Sequence, residues 1–177
     1  MKAMHYRMED GITYILKGII PPAEYADLFM MDAIYVPKGK TELRTLIKQC
    51  IKVFGDECSL NWIDVSQIKK LDKLFFKSKF NGDISRWDVS NAISMEYMFF
   101  QSFFNKDISN WDVSNVVNMK AMFANSRFNK PLNNWKTYSV VNMAMLFYGS
   151  KYDKPLDDWY TGDVIDMTQM FFNAEFT

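Results

Sequence analysis

The sequence predicts an α/β fold, a single solenoid of five 24-residue repeats, each with a short strand and a short helix. The first observation behind this prediction is a constant period of 24 residues from about Leu60 onwards. Apolar columns at a period between 20 and 50 residues are typical of solenoids, in which each repeat packs only against its neighbours. The columns are Leu60, Ile84, Ile108, Leu132 and Leu156; Ile63, Trp87, Trp111, Trp135 and Trp159; Leu71, Met95, Met119, Met143 and Met167; Leu74, Met98, Met122, Leu146 and Met170; and Phe75, Phe99, Phe123, Phe147 and Phe171.

The second observation is that apolar residues within 104–127 follow first a strand-like spacing and then a helical spacing. Ile108, Trp111 and Val113 reproduce the L-x-x-L-x-L spacing of a leucine-rich repeat, and their alternation predicts a half-buried strand. Met119 and the residues three and four positions later form one helical face. The residue before that face is a good N-cap in four repeats, where it is Ser94, Asn118, Asn142 or Asp166. The spacings therefore predict a leucine-rich-repeat-like architecture.

The N-terminal side of the repeats contains the clearest helix pattern in the chain, over residues 41–54. Thr41 is the predicted N-cap and Gly55 the predicted stop. We therefore expect residues 37–59 to form a capping helix and turn, followed by the repeats in residues 60–177. Residues 1–36 form an extension of uncertain structure, in which 11–20 suit a strand or hairpin arm and 23–31 suit a helix. The helix presents one apolar face, Leu43, Leu46, Ile47, Cys50, Ile51 and Phe54.

Composition excludes several classes of function. Lysine plus arginine and aspartate plus glutamate both number 21, so the strongly basic footprint of nucleic-acid binding is absent from the sequence. Two cysteines and the single His5 have no metal-ligand spacing, and no catalytic motif is present, which predicts a nonenzymatic chain without cofactor or metal. The apolar stretch 12–20 contains Lys17 and is too short for a membrane span or signal core, which predicts a cytoplasmic protein without membrane insertion.

A family resemblance rests on residues 104–123, Phe-Asn-Lys-Asp-Ile-Ser-Asn-Trp-Asp-Val-Ser-Asn-Val-Val-Asn-Met-Lys-Ala-Met-Phe. This segment resembles the BspA-like, mycoplasma-type repeat, a bacterial family related to leucine-rich repeats, and the resemblance extends over about residues 38–177. It implies protein binding, adhesion in exported members, and no known catalysis. It also implies a cell-surface or secreted location if a leader has been removed. Tyr138 and Gly162 depart from the pattern, since they replace the serine that follows the predicted strand.

The outward residues of the predicted strands are the candidate site for binding another protein. Trp62, next to the core residue Ile63, is expected to point outwards as an interface anchor, or alternatively to pack under the N-terminal segment. Asp64, Asp88 and Asp112 are expected to form an acidic strip that favours a basic partner, unless solvent and neighbouring side chains screen it. The complete candidate set is Trp62, Asp64, Arg86, Asp88, Asn110, Asp112, Lys136, Tyr138 and Tyr160.

The C-terminal end supports an alternative, structural function. Phe176 falls in the column Phe80, Phe104, Phe128 and Tyr152, so a sixth repeat begins there and no capping pattern follows it. Solenoids need capped ends for solubility. This pattern predicts a possible homodimer through the end of the stack, with Met170, Phe172 and Phe176 as the contact residues.

Overall fold

The computed structural model describes residues 35–176. The strand or arm predicted at 11–20, the helix predicted at 23–31 and His5 lie outside the described residues. The core of the described part runs continuously from one helix through all the repeats. We number the repeats from the leucine and isoleucine column, as 60–83, 84–107, 108–131, 132–155 and 156–176.

Helix α1, Lys40–Phe54, confirms the helix predicted over 41–54. Its buried face, Leu43, Leu46, Ile47 and Cys50, joins the core of the first repeat. The predicted cap at Thr41 is wrong, because Gly39 precedes the helix and no side chain caps it. Instead, the Glu42 carboxylate in the first turn accepts the backbone N–H of Lys38 at 2.5 Å. The predicted stop is confirmed: Gly55 has a φ of 86° and donates its N–H to the Ile51 carbonyl.

The predicted α/β leucine-rich-repeat-like solenoid is wrong. Within residues 35–176 the structure has one helix, α1, and neither a strand nor a sheet, only isolated parallel bridges. Four of these bridges link successive repeats at Lys70, Ser94, Asn118, Asn142 and Asp166. Three of the predicted helix caps start turns instead, because their side-chain oxygens accept the N–H two residues on. These bonds are Lys120 to Asn118, Ala144 to Asn142 and Thr168 to Asp166, at 2.9–3.0 Å.

The segment predicted as a helix is a run of turns. We call these segments the turn segments, residues 71–77, 95–101, 119–125, 143–149 and 167–173. Within 119–125, the N–H of Met122 bonds to the Met119 carbonyl at 3.1 Å. Ala121 and Asn125 have φ of 51° and 53°, in the left-handed region that no helix residue occupies. Two such residues in each turn segment stop the helix from forming, although the apolar face is retained.

Alternate backbone N–H groups of each turn segment bond to the next repeat. In the fourth turn segment, Met143 donates to the Asp166 carbonyl at 2.8 Å and Met145 donates to the Thr168 carbonyl at 2.9 Å. The same pattern joins every successive pair of turn segments, with N···O distances of 2.6–3.0 Å. The 24-residue sequence period is therefore the spatial register of the stack.

Aromatic columns fill the core between these backbone ladders. The rings of Phe99 and Phe123 stack with centroids 5.6 Å apart, and those of Phe123 and Phe147 with centroids 5.7 Å apart. The tryptophan column is also bonded along the stack: the indole N–H of Trp111 donates to the Ile84 carbonyl at 3.2 Å. The equivalent bonds are Trp87 to Leu60, Trp135 to Ile108 and Trp159 to Leu132. A buried indole N–H needs such a partner, and here it also connects repeats.

Candidate partner-binding surface

The structure exposes most of the residues predicted to bind a partner. We call the exposed members the lateral surface, which consists of Arg86, Asp88, Asn110, Asp112, Lys136, Tyr138 and Tyr160. Asp64 is half-buried at the edge of this surface. The turns that carry these residues adjoin the tryptophan column, whose indole N–H groups bond to carbonyls of the preceding repeats.

Trp62 does not belong to the lateral surface, and its predicted outward orientation is wrong. Its side chain is 3% exposed, and its indole N–H donates to the Ser59 carbonyl at 3.2 Å. Tyr35 pairs with this part of the chain, donating its N–H to the Trp62 carbonyl and accepting the N–H of Asp64, both at 2.9 Å. The alternative interpretation, in which Trp62 packs under the preceding segment, agrees with these contacts.

The aspartates of the predicted acidic strip have a local structural role. Asp64, Asp88 and Asp112 each accept the backbone N–H of the serine two residues on, at 2.8–3.0 Å. This is the Asx-turn arrangement, which the Asp-x-Ser sequence favours. Hydrogen bonds from the Ser90 hydroxyl and N–H hold the pKa of the Asp88 carboxyl below its usual value. The strip is thus stabilised by donors in its own turns and needs no partner to persist.

The far end of the lateral surface carries two neighbouring tyrosines. Tyr138 is 57% exposed and Tyr160 is 43% exposed, with ring centroids 5.5 Å apart. The Thr137 hydroxyl donates to the Tyr160 carbonyl at 2.7 Å and so joins their two backbones. Gly162 leaves room for Tyr160, because a Cβ there would lie 2.5 Å from the Tyr160 hydroxyl oxygen. The two departures from the serine column, Tyr138 and Gly162, therefore belong to one aromatic feature, in which the sequence pattern did not reveal the role of Gly162.

The residues predicted for self-association differ in accessibility. Met170 is buried, whereas Phe172 is exposed and Phe176 is half-buried. Phe176 also stacks on Phe171, with ring centroids 4.4 Å apart. The last repeat is more open than its predecessor: Met167 is 42% exposed, but its equivalent in the fourth repeat is fully buried.

A second aromatic group lies in the turn segments of the first two repeats, and the sequence analysis missed it. The rings of Phe76 and Phe100 stack with centroids 5.1 Å apart, and the Lys77 ammonium lies 5.4 Å above the Phe76 ring. Lys73 lies at the same distance from the Tyr97 ring. The signal available in the sequence was an additional Phe directly after the core Phe column. Cation–π contacts of this kind stabilise exposed aromatic side chains.

Within residues 35–176, no group of three or more His, Cys, Asp or Glu side chains is arranged to hold a metal ion. Burial raises the pKa of the Cys50 thiol strongly and that of Cys58 to about 11, so both thiols are protonated at neutral pH. In the same described part, no helix has the length and apolar composition needed to cross a membrane.

Comparison with known families places most of the described part in one family. A family model described as "Mycoplasma protein of unknown function, DUF285" matches residues 41–149 and 100–177, two overlapping matches that begin at α1 and span all the repeats. No curated protein and no solved structure matches the chain.

Proposed function

The chain belongs to the family described as Mycoplasma protein of unknown function, DUF285, and from that premise we propose that it is a noncatalytic module that binds another protein. The proposed binding site is the lateral surface, centred on Tyr138 and Tyr160. We also propose that the repeats are of the BspA-like type, which the motif in residues 104–123 supports.

The single observation that carries this proposal is the exposed tyrosine pair. Both rings are accessible although the chain has a well-filled aromatic core, and Gly162 makes room for one of them. Tyrosine is enriched in protein–protein interfaces because its ring buries a large area while its hydroxyl remains able to form hydrogen bonds. An ordered pair of such rings is a suitable anchor for a partner.

The charges beside the pair support a partner with a basic segment. Asp88 and Asp112 are exposed on the same surface as the tyrosines. The Asp88 carboxylate is ionised at neutral pH, since the ordinary pKa of aspartate is already far below 7 and the Ser90 bonds lower the pKa further. Lys136 occupies the same column as these aspartates in the fourth repeat, next to Tyr138 and one repeat before Tyr160. We propose that the aspartates contribute to specificity and to the association rate, while the tyrosines supply most of the affinity.

Site-specific photo-crosslinking tests the proposed site. A photoreactive phenylalanine analogue is introduced at Tyr138 in the full chain, which is then incubated with Mycoplasma lysate. A matched control places the same analogue at Phe103, an exposed aromatic residue that packs against Arg127 outside the lateral surface. We expect one crosslinked protein from Tyr138, none from Phe103, and loss of the product when Tyr160 is replaced by Ala. Equal crosslinking from both positions would place the site elsewhere.

Self-association through the last repeat is the second candidate function. The exposed side chains of Met167 and Phe172 support it, because exposed apolar groups at a repeat end favour burial against another surface. Analytical ultracentrifugation of the wild type and of Phe172→Glu tests it. A dimer that dissociates in the variant is the expected result, and a wild-type monomer at millimolar concentration would contradict the candidate.

A further inference from the structure

The first turn segment and its flanking residues carry a local excess of positive charge. Residues 69–79 contain a single acidic residue, Asp72, which is half-buried. One oxygen of its carboxylate accepts hydrogen bonds from the Ser94 hydroxyl and the Glu96 N–H. The other oxygen lies 3.4 Å from the Lys40 ammonium. Asp72 is therefore already paired, while the same stretch contains five exposed lysines, Lys69, Lys70, Lys73, Lys77 and Lys79.

Two of these lysines lie against aromatic rings. The Lys73 ammonium is 5.4 Å from the centre of the Tyr97 ring, and the Lys77 ammonium is 5.4 Å from the centre of the Phe76 ring. The rings also pack on one another, because Phe100 stacks on Phe76 and Tyr97 meets both of them edge-on. Within residues 35–176, neither ammonium group forms an ion pair with a carboxylate. We call these five residues the basic aromatic cluster.

The backbone holds both lysines of the cluster in fixed positions. Lys73 and Lys77 have φ of 58° and 55°, so they form the two left-handed corners of the first turn segment. The Lys73 N–H donates to the Glu96 carbonyl at 3.0 Å, and the Lys77 N–H donates to the Phe100 carbonyl at 2.8 Å. The two side chains therefore start from a backbone that is bonded to the second repeat.

The fold does not require lysine at these corners. The corresponding corners of the other four turn segments have the same left-handed conformation without a cation. The ring of Phe76 is not required either, because Ala124 occupies its position in the third repeat. The paired cations are thus a property of the first repeat that turn formation does not explain. The corner residues elsewhere are Tyr97, Ala121, Met145 and Gln169, and Gln101, Asn125, Gly149 and Asn173.

The chemistry of the cluster favours carboxylate ligands. The ammonium groups engage the faces of the Phe76 and Tyr97 rings. Ring edges carry a partial positive charge, so edges and ammonium groups together attract carboxylates. A nucleic-acid base, in contrast, binds by stacking on a free ring face. Phe76 is 38% exposed and offers an apolar contact between the two cations.

We propose that the basic aromatic cluster binds an acidic segment of another protein. Carboxylates of that segment pair with Lys73 and Lys77, and an apolar side chain between them packs against Phe76. The remaining lysines of residues 69–79 increase the association rate with such a partner. The lateral surface carries exposed aspartates instead, so the two surfaces select partners of opposite charge. The proposal does not rest on the function proposed for the lateral surface.

Isothermal titration calorimetry of the full chain tests the proposal. The probe is a short synthetic peptide in which glutamates and aspartates flank a single phenylalanine. We expect saturable binding of one peptide per chain, with an affinity that falls as the ionic strength rises. Amide chemical shifts should change at residues 73, 76, 77 and 97. A peptide with glutamine and asparagine in place of the acidic residues should not bind.

A double variant, Lys73→Gln with Lys77→Gln, removes the two cations. Glutamine fits both corners, because Gln169 and Gln101 occupy the corresponding corners of other repeats with φ of 55° and 51°. We expect the affinity for the acidic peptide to fall about tenfold, with an unchanged circular dichroism spectrum. Phe76→Ala should lower the affinity about fivefold through loss of the apolar contact.

The matched control removes the same charge elsewhere. Lys106→Gln with Lys151→Gln deletes two exposed lysines that already pair with Glu57 and Glu175. The affinity of this control for the acidic peptide should stay within about twofold of the wild type, because its lysines have their own carboxylates. Replacing Tyr138 and Tyr160 by Ala should also leave the affinity unchanged, which separates this test from that of the lateral surface.

Four results would overturn the proposal. Absence of binding at millimolar peptide would exclude the site, and equal losses in the two double lysine variants would show attraction by net charge alone. Tighter binding of single-stranded DNA or of phosphatidylglycerol vesicles, abolished by the Lys73 and Lys77 substitutions, would assign the cluster to another anionic ligand. A wild-type dimer that dissociates in the same variant would show that a second copy occupies the cluster.

Discussion

Phe123→Ala tests the stacked core most directly. The Phe123 side chain is fully buried, and its ring lies between Phe99 and Phe147, with centroid distances of 5.6 and 5.7 Å. Its equivalent in the last repeat, Phe171, stacks on Phe147 on one side and is half-buried. The two substitutions remove the same atoms from the same column. The difference between their losses of unfolding free energy therefore measures what the neighbouring repeats contribute.

The structure gives the expected magnitudes. Truncating a fully buried Phe to Ala costs about 3–5 kcal/mol, and each lost aromatic pair accounts for about 0.5–1.5 kcal/mol of interaction beyond area burial. We therefore expect Phe123→Ala to lower the free energy of unfolding by about 4 kcal/mol. Phe171→Ala should lower it by about 1–2 kcal/mol, because that side chain is partly exposed and has a repeat on one side only. A domain stable by about 5–15 kcal/mol would lose a large share to the first change.

Urea unfolding followed by tryptophan fluorescence and far-UV circular dichroism measures both values. In a stack, the central substitution weakens contacts in both directions, whereas the terminal one weakens them in one direction. Equal losses for the two variants would refute the reasoning, because they would mean that the Phe column does not stack as the structure shows. A Phe123→Ala loss below about 1 kcal/mol would refute the burial of the side chain.

Three further predictions concern backbone partners and turns. Trp111→Phe removes the indole donor to the Ile84 carbonyl, which retains the Trp87 backbone N–H as its other donor. The change should lower the urea-derived free energy of unfolding by about 0.5–1.5 kcal/mol for the lost bond, and a loss near zero would exclude the bond. Gly149→Ala places a side chain at a φ of 59° and a Cβ 2.4 Å from the Asn125 Oδ1. It should cost about 1 kcal/mol, partly relieved by Asn125→Ala, and an unchanged calorimetric Tm would contradict the left-handed turn. In the folded chain, the pKa of Asp88 lies below its ordinary value of 3.8. The Asp88 carboxylate therefore stabilises the fold fully above pH 3.8. This stabilisation disappears as the pH falls through the folded pKa. Urea titrations from pH 6 to pH 2 should thus show a smaller acid-induced loss in Asp88→Asn than in the wild type, and parallel curves would count against the Ser90 bonds.

The helix α1 and the core columns were predictable because their signals are local or repeated. The apolar face from Leu43 to Cys50 recurs at helical spacing over a full helix length, and Gly55 ends it with a positive φ. The buried columns were predictable because the same side chain meets the same neighbours in each repeat. Both inferences depend on side-chain hydrophobicity alone, which the sequence states directly.

The short strands and helices that the sequence predicted are absent from the repeats of the described residues, and the turns found in their place were not predictable. The spacing of Met119, Met122 and Phe123 suits a helix, but it suits equally a run of turns that returns to the same face. Left-handed conformations at Ala121 and Asn125 decide between the two, and alanine gives no sequence signal for such a conformation. The energy that holds it comes from hydrogen bonds to the next repeat, such as Ala121 N–H to the Ala144 carbonyl at 2.8 Å.

The candidate site also combines features that the sequence predicted with features that it did not predict. The exposure of Asp88, Asp112 and Tyr160 follows from their alternation with core residues and was predicted. The burial of Trp62 was one of two alternatives that the sequence left open, because Tyr35, whose backbone pairs with Trp62 and Asp64, lies outside the repeat pattern. The room that Gly162 leaves for Tyr160 also depends on where the ring lies in space.

By itself, then, the sequence determined the period, the helix before the repeats and the side chains that face the core, since hydrophobic burial depends on residue type and spacing. Only the tertiary structure decided the turn conformation and the direction of the backbone hydrogen bonds between repeats. Those features arise from bonds between residues 23 positions apart, such as Met143 to Asp166. The N–H and carbonyl groups that make these bonds are identical in nearly every amino acid, so residue identity carries no record of which repeat donates and which accepts.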